Sequence, residues 1–422
     1  MLGEIAFCIC KMNTSILRAR RISFAIGLPA LVACALGSTI DHREFFLSYL
    51  FGFLFWLGIA LGCSGFLMVH HLTGGRWGYP IRRFFEGAIS TLPFLAALFV
   101  PLFFGLPQLY PWATAANIAA DKVLQHKHAY MNAPLFIVRT IIFFAIWILL
   151  ARLLIKWSAQ QDATRSVEPT KKLRALSGPG LVIYPTTVTF AFVDWVMSME
   201  ADWYSTVFPL LICIGQMLSA LAFVVIVIGL LVPSPQSSPT GRGDPFSPGG
   251  EKAGMRGPVS QIDALHSLLG KENFHHLGNL LLTFTMLWAY LAYAQLIVIW
   301  SGDLPHEISW YLHRIAGGWR VIAFALLIFH FFGPFFLLLF RQTKRRTEFL
   351  VAIAVIIFLA HIADVWWVVA PSLYRNGFHA SWMAPLAWIG IGGIWLAIFF
   401  WRLETRPLVP MNDPRFVVPA AA

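Results

Sequence analysis

Residues 206–232 read TVFPLLICIGQMLSALAFVVIVIGLLV, and no charged side chain interrupts them. As a helix rising about 1.5 Å per residue they reach roughly 40 Å. A bilayer's hydrocarbon core is about 30 Å thick and takes roughly 20 apolar residues to cross. An apolar helix in a soluble domain keeps a polar stripe for water, and this stretch has none. It reads as a membrane-spanning helix. Pro233, Pro235, Pro239, Pro245 and Pro248, set among Ser and Gly, follow it and break the pattern.

Similar runs lie near 22–40, 46–69, 84–104, 134–155, 181–199, 276–300, 318–340, 348–370 and 381–402. The chain has 422 residues, of which 58% are hydrophobic and 12% charged. A soluble domain carries about 25% charged residues, so most of this surface must face lipid. The expected fold is all-α integral membrane with about ten transmembrane helices. Two four-helix bundles, spans 2–5 and 6–9, are flanked by spans 1 and 10. Residues 1–21 form an N-terminal segment, 22–405 the ten-span domain and 406–422 a tail. Lys11, Arg18, Arg20 and Arg21 precede the first run as in a signal peptide, but the run is read as a retained first span.

The net charge of +11 could indicate nucleic acid or a membrane surface. Here the basic residues sit between apolar runs, with no basic face interleaved with aromatics, so lipid is the partner and nucleic acid is not. With the N-terminus inside, 24 of the 31 Lys and Arg fall in inner segments. Arg43, Lys122, Lys127, Arg139, Arg314, Arg320 and Arg375 are outside. Both termini are therefore expected in the cytoplasm, with a long inner loop at 233–275. Ser260 and Asp263 have capping-box spacing and precede Leu265, Leu268 and Leu269, a pattern that predicts a short helix on the inner surface. The outer loop 105–133, with Pro107, Pro111 and Trp112, should fold over the membrane surface.

The five cysteines Cys8, Cys10, Cys34, Cys63 and Cys213 have no C-x-x-C spacing, and no zinc, phosphate-loop or dinucleotide signature occurs, so no metal site is expected. Ionisable residues inside spans cost about 2.5–3.5 kcal/mol each on insertion scales and suggest function or a specific partner. Glu86 lies near the inner mouth of span 3, His330 near the middle of span 8 and Asp194 towards the outer end of span 5. His361 and Asp364 are three apart on span 9 and share a face. Carboxylates and imidazoles so placed can form a proton path, whereas Gln216, Tyr290, Tyr293 and Gln295 read as interhelical hydrogen-bonding groups. His330 and His361 at one depth could also ligate a b-type haem, but only one such pair is evident and His361 shares its face with Asp364. A weak repeat pairs Arg139 and Asp194–Trp195 with Arg320 and Asp364–Trp366.

Three stretches carry a family resemblance. Residues 194–206 read DWVMSMEADWYST. Residues 275–302 read HHLGNLLLTFTMLWAYLAYAQLIVIWSG and run into Asp303-Leu304-Pro305-His306-Glu307-Ile308. Span 9 gives Asp364-Val365-Trp366-Trp367 and Ala370-Pro371. Together they resemble the ActF-type NrfD-like membrane subunit of bacterial alternative complex III, a quinol-oxidising assembly of the cytoplasmic membrane, over roughly residues 20–405. The resemblance implies a chain without cofactors of its own, acting in an oxidoreductase as scaffold and proton half-channels. Implied partners are a homologous NrfD-like subunit, an iron–sulfur subunit, a multihaem cytochrome c subunit and small membrane anchors, with menaquinol or another quinol as substrate of the complex.

Asp194, Glu200, His276, Asp303 and Asp364 fall in the matching stretches; with the groups read from the spans, the candidates for the path are Glu86, Asp194, Glu200, His276, His330, His361 and Asp364. His361 stands where relatives are expected to carry Arg. Two other roles compete: quinol binding at Asp194, Trp195, Trp203 and Tyr204, and a free-standing transporter built from repeats. Topology can be checked by labelling single cysteines from the outside. Asn376→Cys should react with an impermeant thiol reagent and Ser238→Cys should not; reaction at 238 would invert the assignment.

Overall fold

The computed structural model describes residues 2–164, 166–231, 265, 268–375, 377–410, 412 and 413, with side chains from residue 15 onward, 306 apart. The described residues are helical without strand, and ten helical segments are long and apolar enough to cross a membrane. The chain is an all-α, multi-pass membrane protein. The helices are α1 (Leu2–Gly37), α2 (His42–Thr73), α3 (Arg82–Ile89), α4 (Leu92–Phe104), α5 (Ala133–Ala163), α6 (Glu168–Trp195) and α7 (Phe208–Leu231). They continue with α8 (Lys271–Gly302), α9 (Pro305–Ile315), α10 (Trp319–Leu326), α11 (Gly333–Leu339), α12 (Thr347–Val369) and α13 (Met383–Glu404).

α2 stands at the centre and is buried on all sides. Asp41 caps its first turn by accepting from the Glu44 amide at 3.0 Å. Gly74, at φ 66°, ends it in the left-handed conformation that L side chains avoid, and its amide closes on the His70 carbonyl at 2.8 Å. α3–α4, α5 and α6 complete one bundle with α2, and α7, α8, α10–α11 and α12 form the second. The α2–α7 contact joins them. Gly62 makes it: a Cβ added there would lie 2.1 Å from the Gln216 carbonyl oxygen of α7. Small residues let backbones approach in this way where lipid offers no hydrophobic drive.

α13 packs against both α2 and α1, so the tenth span is a wedge between core and first span rather than a second flank. α1 is the peripheral one and touches α13 through backbone contact at Gly27 and Gly393. It runs unbroken from Leu2, so 1–21 is not set apart from the first span by any break in secondary structure. The tail is also docked in part, since Leu408 and Asp413 are buried and Tyr79 donates its hydroxyl proton to the Pro410 carbonyl at 2.8 Å. The 105–133 segment closes the end of the first bundle away from Arg82: Tyr110 stacks on the buried Trp112 and donates to the Trp195 carbonyl at 2.9 Å. Most of the expected inner-surface helix lies outside the described residues; within them, Leu265 and Leu269 are buried.

Span 8 contains a π-helical stretch, Leu327–Phe332, between α10 and α11. Pro334 explains it. A proline has no amide to offer the carbonyl four residues back, that of His330, and its ring crowds it. The chain widens by one residue there, as π-turns do near functional sites. The packing at Gly62 predicts that Gly62→Ala lowers stability by about 1–3 kcal/mol through overpacking. Thermal unfolding in detergent should show it, with a larger loss for Gly62→Val.

Candidate functional site

Three polar clusters occupy three depths. At the end of the bundle where α3 begins, the Glu86 carboxylate accepts from Arg82 Nε at 2.8 Å, Arg83 Nη1 at 2.5 Å and Ser158 Oγ at 2.6 Å. Arg82 also donates to Gln161 Oε1 at 2.7 Å and to Asp413 Oδ2 at 3.3 Å, and Arg83 pairs with Asp162. Helical spacing sets the core of this knot, because residues 82, 83 and 86 are three and four apart on α3. Glu86 is held by several donors at once, which suits a structural lock better than a proton mouth. His276, the other inner candidate, is exposed on α8 beside His275 and joins none of these groups.

At the opposite end, Asp194 is clamped in a two-pronged pair, with Arg139 Nε at 2.7 Å and Nη2 at 3.1 Å. Such planar pairing is the strongest carboxylate contact a side chain makes. Trp195 is buried and donates its indole proton to Thr140 Oγ1 at 3.2 Å. Trp203 is buried and stacks on Trp310 with centroids 4.8 Å apart, while Tyr204 is exposed. These four residues therefore do not enclose one cavity. The repeat-based counterpart, Arg320, is exposed on α10.

Glu200 joins the two bundles. It accepts from Arg314 Nη1 and from Ser372 Oγ, each at 2.8 Å, and lies 2.9 Å from His313 Nδ1. Arg314 further donates to the Val368 carbonyl at 2.6 Å and lies over the Trp310 ring at 3.8 Å. Burial raises the Glu200 pKa, but Arg314, Ser372 and His313 outweigh it and hold the carboxyl below its ordinary 4.5. Burial also pushes Arg314 down to about 10, so it stays cationic at neutral pH.

The third cluster lies between these ends. The His330 ring sits 4.2 Å from Trp288 and 5.7 Å from His361, centroid to centroid. Neither His330 nitrogen has a hydrogen-bond partner among the described residues. His361 Nδ1 lies 3.4 Å from Asp364 Oδ2, within ion-pair range but without hydrogen-bond geometry. His361 and Asp364 line a cavity of about 740 Å³ between α7, α8, α9–α11 and α12, with Trp288, Tyr311 and Phe331 among its walls. Tyr290 and Tyr293 also line it and are exposed, so it opens along the exposed side of α8.

The π-turn and α12 bring His330, His361 and Asp364 together, and Glu200 lies beyond them towards the Asp194 end of the bundles. Arg314, Arg82 and Arg83 read in the sequence as ordinary loop charges, and His313 and Ser372 fall outside the apolar runs. A signal existed for Arg314: it falls in a short amphipathic segment that starts at Pro305 and carries Trp310. The Glu200 geometry yields a pH test. A depressed folded-state pKa gives stability that is present above pH 4.5 and lost as pH falls through the lower folded value. The thermal midpoint of wild type should exceed that of Glu200→Gln by the equivalent of roughly 3 kcal/mol at neutral pH, because the variant strands a buried arginine. The difference should shrink below pH 4.5. No protein-family model and no curated protein matched this chain.

Proposed function

We propose that this chain is the ActF-type NrfD-like membrane subunit of a quinol-oxidising complex of the alternative complex III kind, in a bacterial cytoplasmic membrane with both termini in the cytoplasm. It holds no redox cofactor. Electrons pass through haem c and iron–sulfur clusters in neighbouring subunits, next to a homologous NrfD-like subunit and small membrane anchors. This chain contributes scaffold and an outward proton path. One observation carries the path: α12 and its extension line up His361, Asp364, the Val368 carbonyl and Ser372, and Arg314 and Glu200 bond to the last two.

The steps follow from the groups present. His361 and Asp364, 3.4 Å apart in the cavity wall, exchange a proton once their side chains turn into hydrogen-bond geometry. One helical turn, about 6 Å, separates Asp364 from the Val368 carbonyl that Arg314 holds. The cavity spans that gap, since Asp364, Val368 and Trp310 all line it. Glu200, kept ionised by Arg314, stabilises the proton on His313, 2.9 Å away, whose side chain is 24% exposed and forms the outlet. The inner half is less complete: Gln216, in the cavity wall, accepts from Tyr184 at 3.1 Å, and Glu86 is locked.

A second reading has specific support. An apolar, aromatic cavity open to lipid, with an imidazole and a carboxylate in its wall, suits a quinol ring that must lose protons. It places a quinol at His361 and Asp364 instead of at Asp194 and its tryptophans.

Asp364→Asn separates the readings, because an amide does not cycle a proton at neutral pH. As a relay variant it should assemble, keep most of the quinol-oxidation rate in detergent and release fewer protons per electron in vesicles. As a quinol-site variant it should lose oxidation even in detergent. Intact assembly with an unchanged proton-to-electron ratio would defeat the relay. Gentle purification should bring down multihaem and iron–sulfur partners, while the isolated chain gives no haem spectrum; a lone oligomer would favour the transporter.

A further inference from the structure

A second cavity, of about 470 Å³, lies where α3, α5 and the end of α13 meet. Its wall carries five cations, Arg83, Arg152, Lys156, Arg402 and Arg406, and one carboxylate, Glu86. That carboxylate is already taken by Arg82, Arg83 and Ser158. No described acidic group pairs with Arg152, Lys156 or Arg402, and the nearby Glu404 is engaged by Arg20 at 2.6 Å. The Nε atoms of Arg83 and Arg402 are buried and have no hydrogen-bond partner among the described residues.

The polarity of the wall is graded. On α5, Ile148, Arg152 and Lys156 are spaced four apart, so one face changes from apolar to doubly basic over about 12 Å. Pro93 and Phe94 face the apolar part, and Phe94 is exposed. This is the profile of a molecule with an anionic head and a hydrocarbon body standing at the membrane boundary. Basic pockets between spans on the cytoplasmic side take such headgroups.

We propose that this cavity binds one anionic glycerophospholipid. Its phosphate sits among Arg152, Lys156 and Arg402, and an acyl chain runs along Ile148 and Phe94. The general excess of positive charge at this end does not by itself explain the feature. Arg152 and Lys156 are exposed on α5, yet with Arg83 and Arg402 they line one concave surface.

The test uses the full chain in nanodiscs of phosphatidylcholine, with or without a small fraction of phosphatidylglycerol, read by native mass spectrometry. Wild type should keep one phosphatidylglycerol through delipidation. R152Q/K156Q should bind it about fivefold more weakly per charge removed. K172Q/R174Q, which removes two exposed cations outside the cavity, should bind as wild type does. All three proteins should melt alike in phosphatidylcholine alone, and phosphatidylglycerol should raise the midpoint only where the cavity is intact. Equal loss in K172Q/R174Q would reduce the effect to diffuse surface charge. Undiminished binding by R152Q/K156Q, or displacement of the lipid by millimolar inorganic phosphate, would overturn the site.

Discussion

The contact between α2 and α7 at Gly62 is the constraint on which the two-bundle arrangement rests. In lipid, helices gain little by hiding apolar surface, so the join must come from close packing. A bare Cα at 62 lets the Gln216 carbonyl approach to a distance no side chain would allow. With that contact made, Gln216 is held facing Tyr184, and Gly215 lies against His361. The middle polar cluster is thus fixed by the same helix pair that joins the bundles.

Charge is the second organising force. Every carboxylate buried at the two ends has cations around it, and each group extends from one element to another: α3 to α5 and the tail, α5 to α6, and the α6–α7 loop to α9. These pairs offset the cost of burying a charge and fix the register of elements far apart in sequence. The middle cluster differs. His330 is buried with nitrogens that find no partner among the described residues, and the His361–Asp364 contact is loose. Groups free to change partners can move a proton; groups clamped by arginine cannot.

The spans were legible because a run such as 206–232 has one physical solution in a bilayer. The closeness of His361 and Asp364 was legible from a spacing of three, and the π-turn is foreshadowed by Pro334. Partners were not legible. Arg82 and Arg83 read as ordinary inner-loop charges, and nothing local says that Glu86 will be saturated by them and by Ser158, 72 residues away. Glu200 and Arg314 are 114 residues apart and meet only because the bundles dock. The repeat pointed to Arg320 as a partner like Arg139, but the short helix α9 inserts Arg314 instead, and it serves Glu200.

The bond between Arg82 and Asp413 has a consequence in time. The two are 331 residues apart. At about 5–20 residues per second, roughly 15–65 s pass between their emergence from a ribosome. During that interval the first bundle sits in the membrane with its α3 arginines one counter-charge short, and only Asp413 completes it. The early hairpins are therefore an unfinished product, open throughout that interval to whatever acidic lipid or chaperone lies near that end of the bundle. A chain cut just before 413 would stay in that state for good.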